Sequence, residues 1–234
     1  ARVTRVLSVI ASPALENWKI NQNRDQVADI FTDAYAATLG VEERPSPFDF
    51  RKTGLEWLGT ARRDQQKAAR AADKGKLVHA YIQALLSREI GAFVPLPDIA
   101  PELLAGVELW KQWREAVKMR PIFSEFRVQD DFERVAGTLD CMGEIDGQLY
   151  VMDWKTTTGI YPNHKVQVAK YAAMLDDMGH GPIHGAFCVL VPTPKEGKPT
   201  PKFEAANISK EEIGALCLVF QACLYIYRWQ GGSR

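Results

Sequence analysis

The chain is poor in the residues that staple a small fold or build a structural metal site. Cysteine occurs four times, as Cys141, Cys188, Cys217 and Cys223, and no two form a CxxC pair. Histidine also occurs four times, and although His180 and His184 have a zinc-like spacing, no cysteine pair precedes them. A zinc-finger scaffold is therefore excluded. The cysteines lie in apolar runs and read as buried free thiols of a reducing compartment, so a cytoplasmic location is expected. No apolar run is long enough to span a bilayer and no signal peptide is evident, so no membrane partner is expected. Net charge is also absent: Lys+Arg and Asp+Glu number 29 each. Internal repeats and low-complexity segments are lacking, which excludes a solenoid or a disordered tail as the organising feature.

What is present is enough apolar material, 46% of 234 residues, for one large domain. The expected organisation is a single domain over 1–234. It comprises an N-terminal helical region (1–64), a core (65–192), and an edge strand with a C-terminal helix (193–234). Charge is segregated along it. Residues 51–76 hold eight basic residues against three acidic ones, and residues 125–153 hold eight acidic against two basic. Two readings follow: a polyanion-tracking arm beside an acidic pocket, or two solvated faces of opposite sign.

In chain order, residues 2–10 read as extended, and Ser12-Pro13 as the start of a helix to about Leu39. Pro45 and Pro47 mark a loop over 40–49. Residues 60–90 have helical character, with Gly75 implying a close backbone approach, a kink or two consecutive helices. His79 lies on the same face four residues on. Glu102–Met119 reads as a helix with Trp110 and Trp113 in the core. Ile122–Val128 is a strand, a helix opens at Pro162 and runs to about Met178, and Gly185–Val191 is a buried strand. Lys202–Ile208 is an edge strand, and Ser209-x-x-Glu212 is a capping box opening the last helix. The fold class is α/β: a mixed central sheet flanked by helices, with the order helix, three strands, helix, strand.

The most informative stretch is Arg134–Thr157. Asp146-Gly147 between two apolar runs is a hairpin turn, because a type I′ turn needs positive φ at both central residues. A two-residue loop places Ile145 opposite Gln148, Cys141 opposite Met152, and Asp140 opposite Asp153. Directly opposed carboxylates, with Cβ atoms about 4.5–5.5 Å apart, repel. Lys155 shares a face with Asp153 by alternation. Two carboxylates and an ammonium on one side of a sheet suit a divalent metal and a polarised water.

These residues carry a resemblance. Gly137-Thr-Leu-Asp140, Asp153-Trp-Lys155 and Gln167-x-x-x-Tyr171, preceded by Gly75-x-x-x-His79, resemble the PD-(D/E)XK nuclease superfamily. The nearer likeness is to its RecB-type exonuclease branch, which has phage-encoded members. The resemblance covers most of residues 4–192 and is sharpest over 134–171. It implies a restriction-endonuclease-like αβββαβ core and a metal-dependent DNA exonuclease of recombination, repair or replication. The alternatives are a structure-specific endonuclease and an inactive DNA-binding recombination subunit. It implies Asp140, Asp153, Lys155, Gln167 and Tyr171 as catalytic, and His79, Asp140, Asp153 and the Trp154 carbonyl as ligands of Mg²⁺ or Mn²⁺. Glu125 stands as an outer acid or a plain strand residue. DNA is the implied partner, single-stranded or with a free end, with a single-strand annealing or binding protein as a further one. The basic residues Arg62, Arg63, Lys67, Arg70 and Lys74 would track its backbone. Some members hold an iron–sulfur cluster with one cysteine before the histidine motif. No cysteine precedes Cys141 here, so no cluster is expected.

Overall fold

The computed structural model describes residues 1–11, 70–194, 197 and 199–229. The expected helix 12–39, the loop 40–49 and the residues Arg62, Arg63 and Lys67 lie outside these. The chain divides into two compact units, Ala11–Ala71 and the remainder, Ala1–Ile10 with Ala72–Arg234, and the second of these carries the sheet.

Alternation of apolar residues on both sides produces a sheet covered on both faces. Helix α1 spans Val3–Ala11, and the described part of α2 covers 70–89. Helix α3 is Pro101–Ala116. Strands β1 (Arg120–Asp130), β2 (Val135–Ile145) and β3 (Gln148–Lys155) follow. Then come α4 (Pro162–Leu175), continued by a wider turn over Asp176–His180, and β4 (Ile183–Leu190). Strand β5 (Glu204–Ser209) and α5 (Lys210–Trp229) complete the described elements. The strands lie in the order β1-β2-β3-β4-β5. All neighbours are antiparallel except β3 and β4, which α4 joins as a parallel pair. The order α3-β1-β2-β3-α4-β4 is the expected αβββαβ core. Among the described residues no helix is long and apolar enough to cross a membrane.

The two faces have separate cores. On one, Val78, Ile82 and Leu86, spaced four apart along α2, pack with Leu103, Val107 and Trp110 of α3 against Cys141, Met152, Trp154 and Val189. Trp110 meets Trp154 edge to face at 5.5 Å and Trp113 meets Phe187 at 5.5 Å, so both tryptophans serve the core. On the other face, Val166, Ala169 and Ala172 of α4 and Phe220 and Leu224 of α5 cover Leu139, Val151, Ala186 and Cys188. Strand β3 divides its side chains by alternation, Val151 to one core and Met152 and Trp154 to the other.

One expectation is corrected, and of the three readings of Gly75 that of two consecutive helices is set aside. Residues 2–10 are helical, because Val3, Val6 and Leu7 form an i, i+3, i+4 stripe that is buried against the sheet; that stripe outweighs the β-branched composition. Gly75 does not break its helix, which is continuous over 70–89.

The capping box is formed in both directions: the Ser209 N–H donates to Glu212 Oε2 at 2.9 Å, and the Glu212 N–H to Ser209 Oγ at 3.2 Å. This satisfies two amide donors that the first turn of α5 leaves without helical partners. Ser209→Ala is expected to lower unfolding free energy by about 1 kcal/mol, measured by urea titration. An unchanged midpoint would mean that the cap contributes nothing to stability.

Candidate functional site

The site begins where a ladder ends. The turn residues Asp146 and Gly147 both have positive φ, 48° and 79°, as a type I′ turn requires. The register is the expected one from Ile145↔Gln148 to Cys141↔Met152. There the β2–β3 ladder stops, while β3 continues alongside β4 as far as Lys155↔Leu190. Asp140 and Asp153 are therefore not a laddered cross-strand pair, which corrects the simple extrapolation of the register. The backbone N–H of Trp154 donates instead to Asp140 Oδ2 at 2.6 Å. A carboxylate has taken the place of a strand carbonyl, and its other oxygen, Oδ1, stands 3.4 Å from His79 Nδ1.

Gly75 explains how His79 arrives. A Cβ on residue 75 would lie 2.6 Å from Thr156 Oγ1, so a glycine there lets α2 approach the chain just after β3 without displacing the Thr156 side chain. His79 keeps 32% of its side-chain surface in solvent. Burial opposes its protonation, but the adjacent Asp140 carboxylate, by charge and hydrogen bond, outweighs this and raises the imidazole pKa.

Asp153 is 3% exposed. Burial and the Asp140 charge favour its neutral form, while the Lys155 ammonium in contact with Oδ2 favours the carboxylate. Lys155 responds reciprocally: burial works against its charge, but Asp153 more than compensates and raises its pKa, so it remains an ammonium. Asp153 Oδ2 is buried and makes no well-formed hydrogen bond beyond this ion-pair contact.

Helix α4 closes the site. Gln167 Oε1 accepts from Lys155 Nζ at 2.9 Å, and Gln167 Nε2 donates to Asp153 Oδ1 at 3.4 Å and to Tyr171 Oη at 3.0 Å. These partners fix the amide orientation, because an ammonium can only donate and a carboxylate only accept. Burial pushes the Tyr171 pKa upward, leaving a neutral phenol. The glycine of Gly-Thr-Leu-Asp makes room for this ring: a Cβ on residue 137 would lie 2.4 Å from Tyr171 Cε1.

Two further residues belong to this neighbourhood. Glu125 has φ 52° and occupies the register position opposite Asp140, between Ser124↔Cys141 and Phe126↔Leu139. Partial burial and the Asp140 charge lift its carboxyl to about 7. His164 was not singled out in the sequence. It stands three residues before Gln167, on the same side of α4, and burial together with Lys155 depresses it to about 4, so it is neutral. The available signal was its i, i+3, i+7 spacing with Gln167 and Tyr171.

The structure thus brings together His79, Asp140, Asp153, Lys155, Gln167 and Tyr171, with the Trp154 backbone among them. Among the described residues no three His, Cys, Asp or Glu side chains converge as a preformed metal cage. The donor chemistry nevertheless suits a hard cation: burial and the Asp140 charge raise the Asp153 pKa, and the carboxylate oxygens of both residues are hard donors. The Lys155 ammonium and the His79 imidazole face those carboxylates. Of the basic residues, Lys74 pairs with Glu102 at 2.9 Å, and Arg70 lies at the start of the described helix with its side chain exposed.

No protein-family model matches the chain, and no curated protein matches it. Among solved structures, the crystal structure of SSO0001 aligns with 51% of this chain at 14% identity and a TM-score of 0.31, and the match covers 56% of that protein. A protein from Eubacterium rectale, named a putative exonuclease, aligns over 69% of each chain at 11% identity, with a TM-score of 0.43. Likenesses at these scores carry no functional weight.

Gly137→Ala should force the Tyr171 ring aside and cost about 1–3 kcal/mol, the usual range for overpacking. In a Tyr171→Leu background the added cost should shrink, as a double-mutant cycle in urea would measure. Strictly additive costs would show that the glycine does not serve the ring.

Proposed function

We propose that this chain is a metal-dependent deoxyribonuclease that hydrolyses phosphodiester bonds from a free DNA end. The supporting observation is the Lys155 ammonium held between the buried Asp153 and Gln167, beside an Asp140 carboxylate at the end of an interrupted ladder. Asp140, Asp153 and the Trp154 carbonyl, with His79 contributing, would hold Mg²⁺ or Mn²⁺, which supplies an acidified water and neutralises a non-bridging phosphate oxygen.

The chain's own groups perform the rest. Water attacks phosphorus, one P–O ester bond breaks, and the departing oxygen leaves with a proton. Lys155 orients the attacking water and offsets the negative charge that accumulates around phosphorus in the transition state. Gln167 holds Lys155 in place through its carbonyl and Asp153 through its amide, so neither must reorganise as the charge develops. Tyr171 anchors Gln167 from the far side. His79 steadies the outer oxygen of Asp140. Neutral His164 adds no second positive charge beside Lys155, which preserves the attraction of the ammonium to Asp153.

Exonuclease action is tested with end-labelled linear DNA and closed circular DNA in Mn²⁺. Loss of linear DNA alone supports the proposal. Nicking of circles would indicate an endonuclease, and binding without cleavage a DNA-binding subunit. Placing the label at either end reads the polarity. Lys155→Ala should abolish cleavage while leaving DNA affinity within a few-fold, because its contribution is made in the transition state. Cleavage near the wild-type rate would remove Lys155 from the mechanism.

A further inference from the structure

The β1–β2 connection, residues 131–134, is built with unusual expense. Lys170 of α4 is 6% exposed. Its ammonium reaches back to this turn, 2.7 Å from Asp130 Oδ2 and 2.6 Å from Glu133 Oε2. Burial works against its charge, and the two carboxylates more than restore it. Asp130 Oδ1 accepts the Glu133 N–H at 2.7 Å, and Arg228 of α5 donates to the Glu133 carbonyl. Lys170 also lies over the Phe220 ring at 5.4 Å. Burying charges costs free energy unless each is paired and held in good geometry. Here that geometry ties a four-residue turn to α4 and α5.

What the fixed turn displays is Phe132, 97% exposed and the most exposed of the large apolar side chains among the described residues. A phenylalanine at a loop tip ordinarily lies back on the surface to shed water. This one is held outward by a rigid base. The charges around it balance: Asp130, Asp131 and Glu133 against Lys170, Arg134 and Arg228. A phosphate backbone would meet no net repulsion there. The turn also lies at the end of the sheet towards which β3 runs to Lys155, because β2 is antiparallel to β3 and the ladder between them opens in that direction. Asp140 is five residues along β2 from Val135, where β1 and β2 first pair. That is roughly 17 Å at about 3.4 Å per strand residue, a span that a few nucleotides of an extended single strand cover.

Resting on the nuclease reading above, we propose that Phe132 is a base-stacking post. It holds a DNA strand a few nucleotides from the scissile phosphate and so sets the substrate length for full activity. Aromatic rings stack on any base, so this contact grips without reading sequence. Lys170 is then a positioning residue that fixes the post relative to Gln167 and Tyr171 on its own helix.

The test compares wild type with Phe132→Ala and Phe132→Trp on a ladder of single-stranded oligonucleotides of three to twelve nucleotides, in Mn²⁺. In Phe132→Ala, KM for the longer oligonucleotides should rise about ten-fold or more, the loss expected for one base–aromatic stack. Cleavage of those too short to reach the post should be unchanged, and kcat should change little. Phe132→Trp should restore the longer substrates. Its indole fluorescence should be quenched by long oligonucleotides but not by short ones, in EDTA as well as in Mn²⁺. An equal KM increase at every length, or none at any length, overturns the post. Absence of cleavage by wild type at all lengths, with quenching of Phe132→Trp retained, would overturn the nuclease reading and leave the stacking site standing. Absence of both would overturn both. Because Phe132 packs against little, the alanine variant should keep the wild-type melting temperature, which checks that its losses are local.

Discussion

The site depends on one hydrogen bond, from the Trp154 amide to Asp140 Oδ2 at 2.6 Å. An antiparallel ladder would ordinarily satisfy that amide from the neighbouring strand. Here β3 remains paired with β4 to Lys155 but leaves β2 after Cys141↔Met152. The unpaired amide is a cost that Asp140 removes, and in doing so its carboxylate is fixed at the mouth of the opening. The same divergence lets Asp153 and Lys155 point into a space that α4 can cap with Gln167. Restoring the ladder would leave no notch.

The electrostatics follow from this placement. Asp153 is pulled towards neutrality by burial and by Asp140, and towards ionisation by Lys155. Gln167 touches both members of that pair and so holds their relative position. Glu125 and Asp140 raise the local negative charge further, and partial burial with that repulsion lifts Glu125 to about 7. Three carboxyl groups gather in this partly enclosed site, and the Lys155 ammonium in contact with Asp153 offsets part of their mutual repulsion.

Local signals made much of this legible from residues alone. The Asp146-Gly147 turn set the register, Ser209 and Glu212 marked a helix start, and the order of apolar periods gave the αβββαβ core. What escaped was decided by distant partners. The end of the β2–β3 ladder depends on how β3 is held by β4, which no pattern within the hairpin encodes. Lys170 reads as a solvated lysine on a helix until Asp130 and Glu133, about forty residues earlier in the chain, are folded against it. Val3, Val6 and Leu7 are β-branched or apolar in a way that suits a strand, and only the surface they cover makes them a helix. His164 had the right spacing but no chemistry of its own until Lys155 stood beside it. The Asp140–His79 contact comes with a close approach of two separate segments at Gly75, which the sequence left as one of three readings.

The central claim is that Asp140 and Asp153 together hold a divalent cation at this notch. Titrating Mn²⁺ into the protein and following free Mn²⁺ by electron paramagnetic resonance tests it without reference to any substrate. The account predicts saturable binding by the wild-type chain and its loss in Asp153→Asn, with the fold unchanged by circular dichroism. Equal Mn²⁺ binding by the wild type and Asp153→Asn, or none by either, would contradict it.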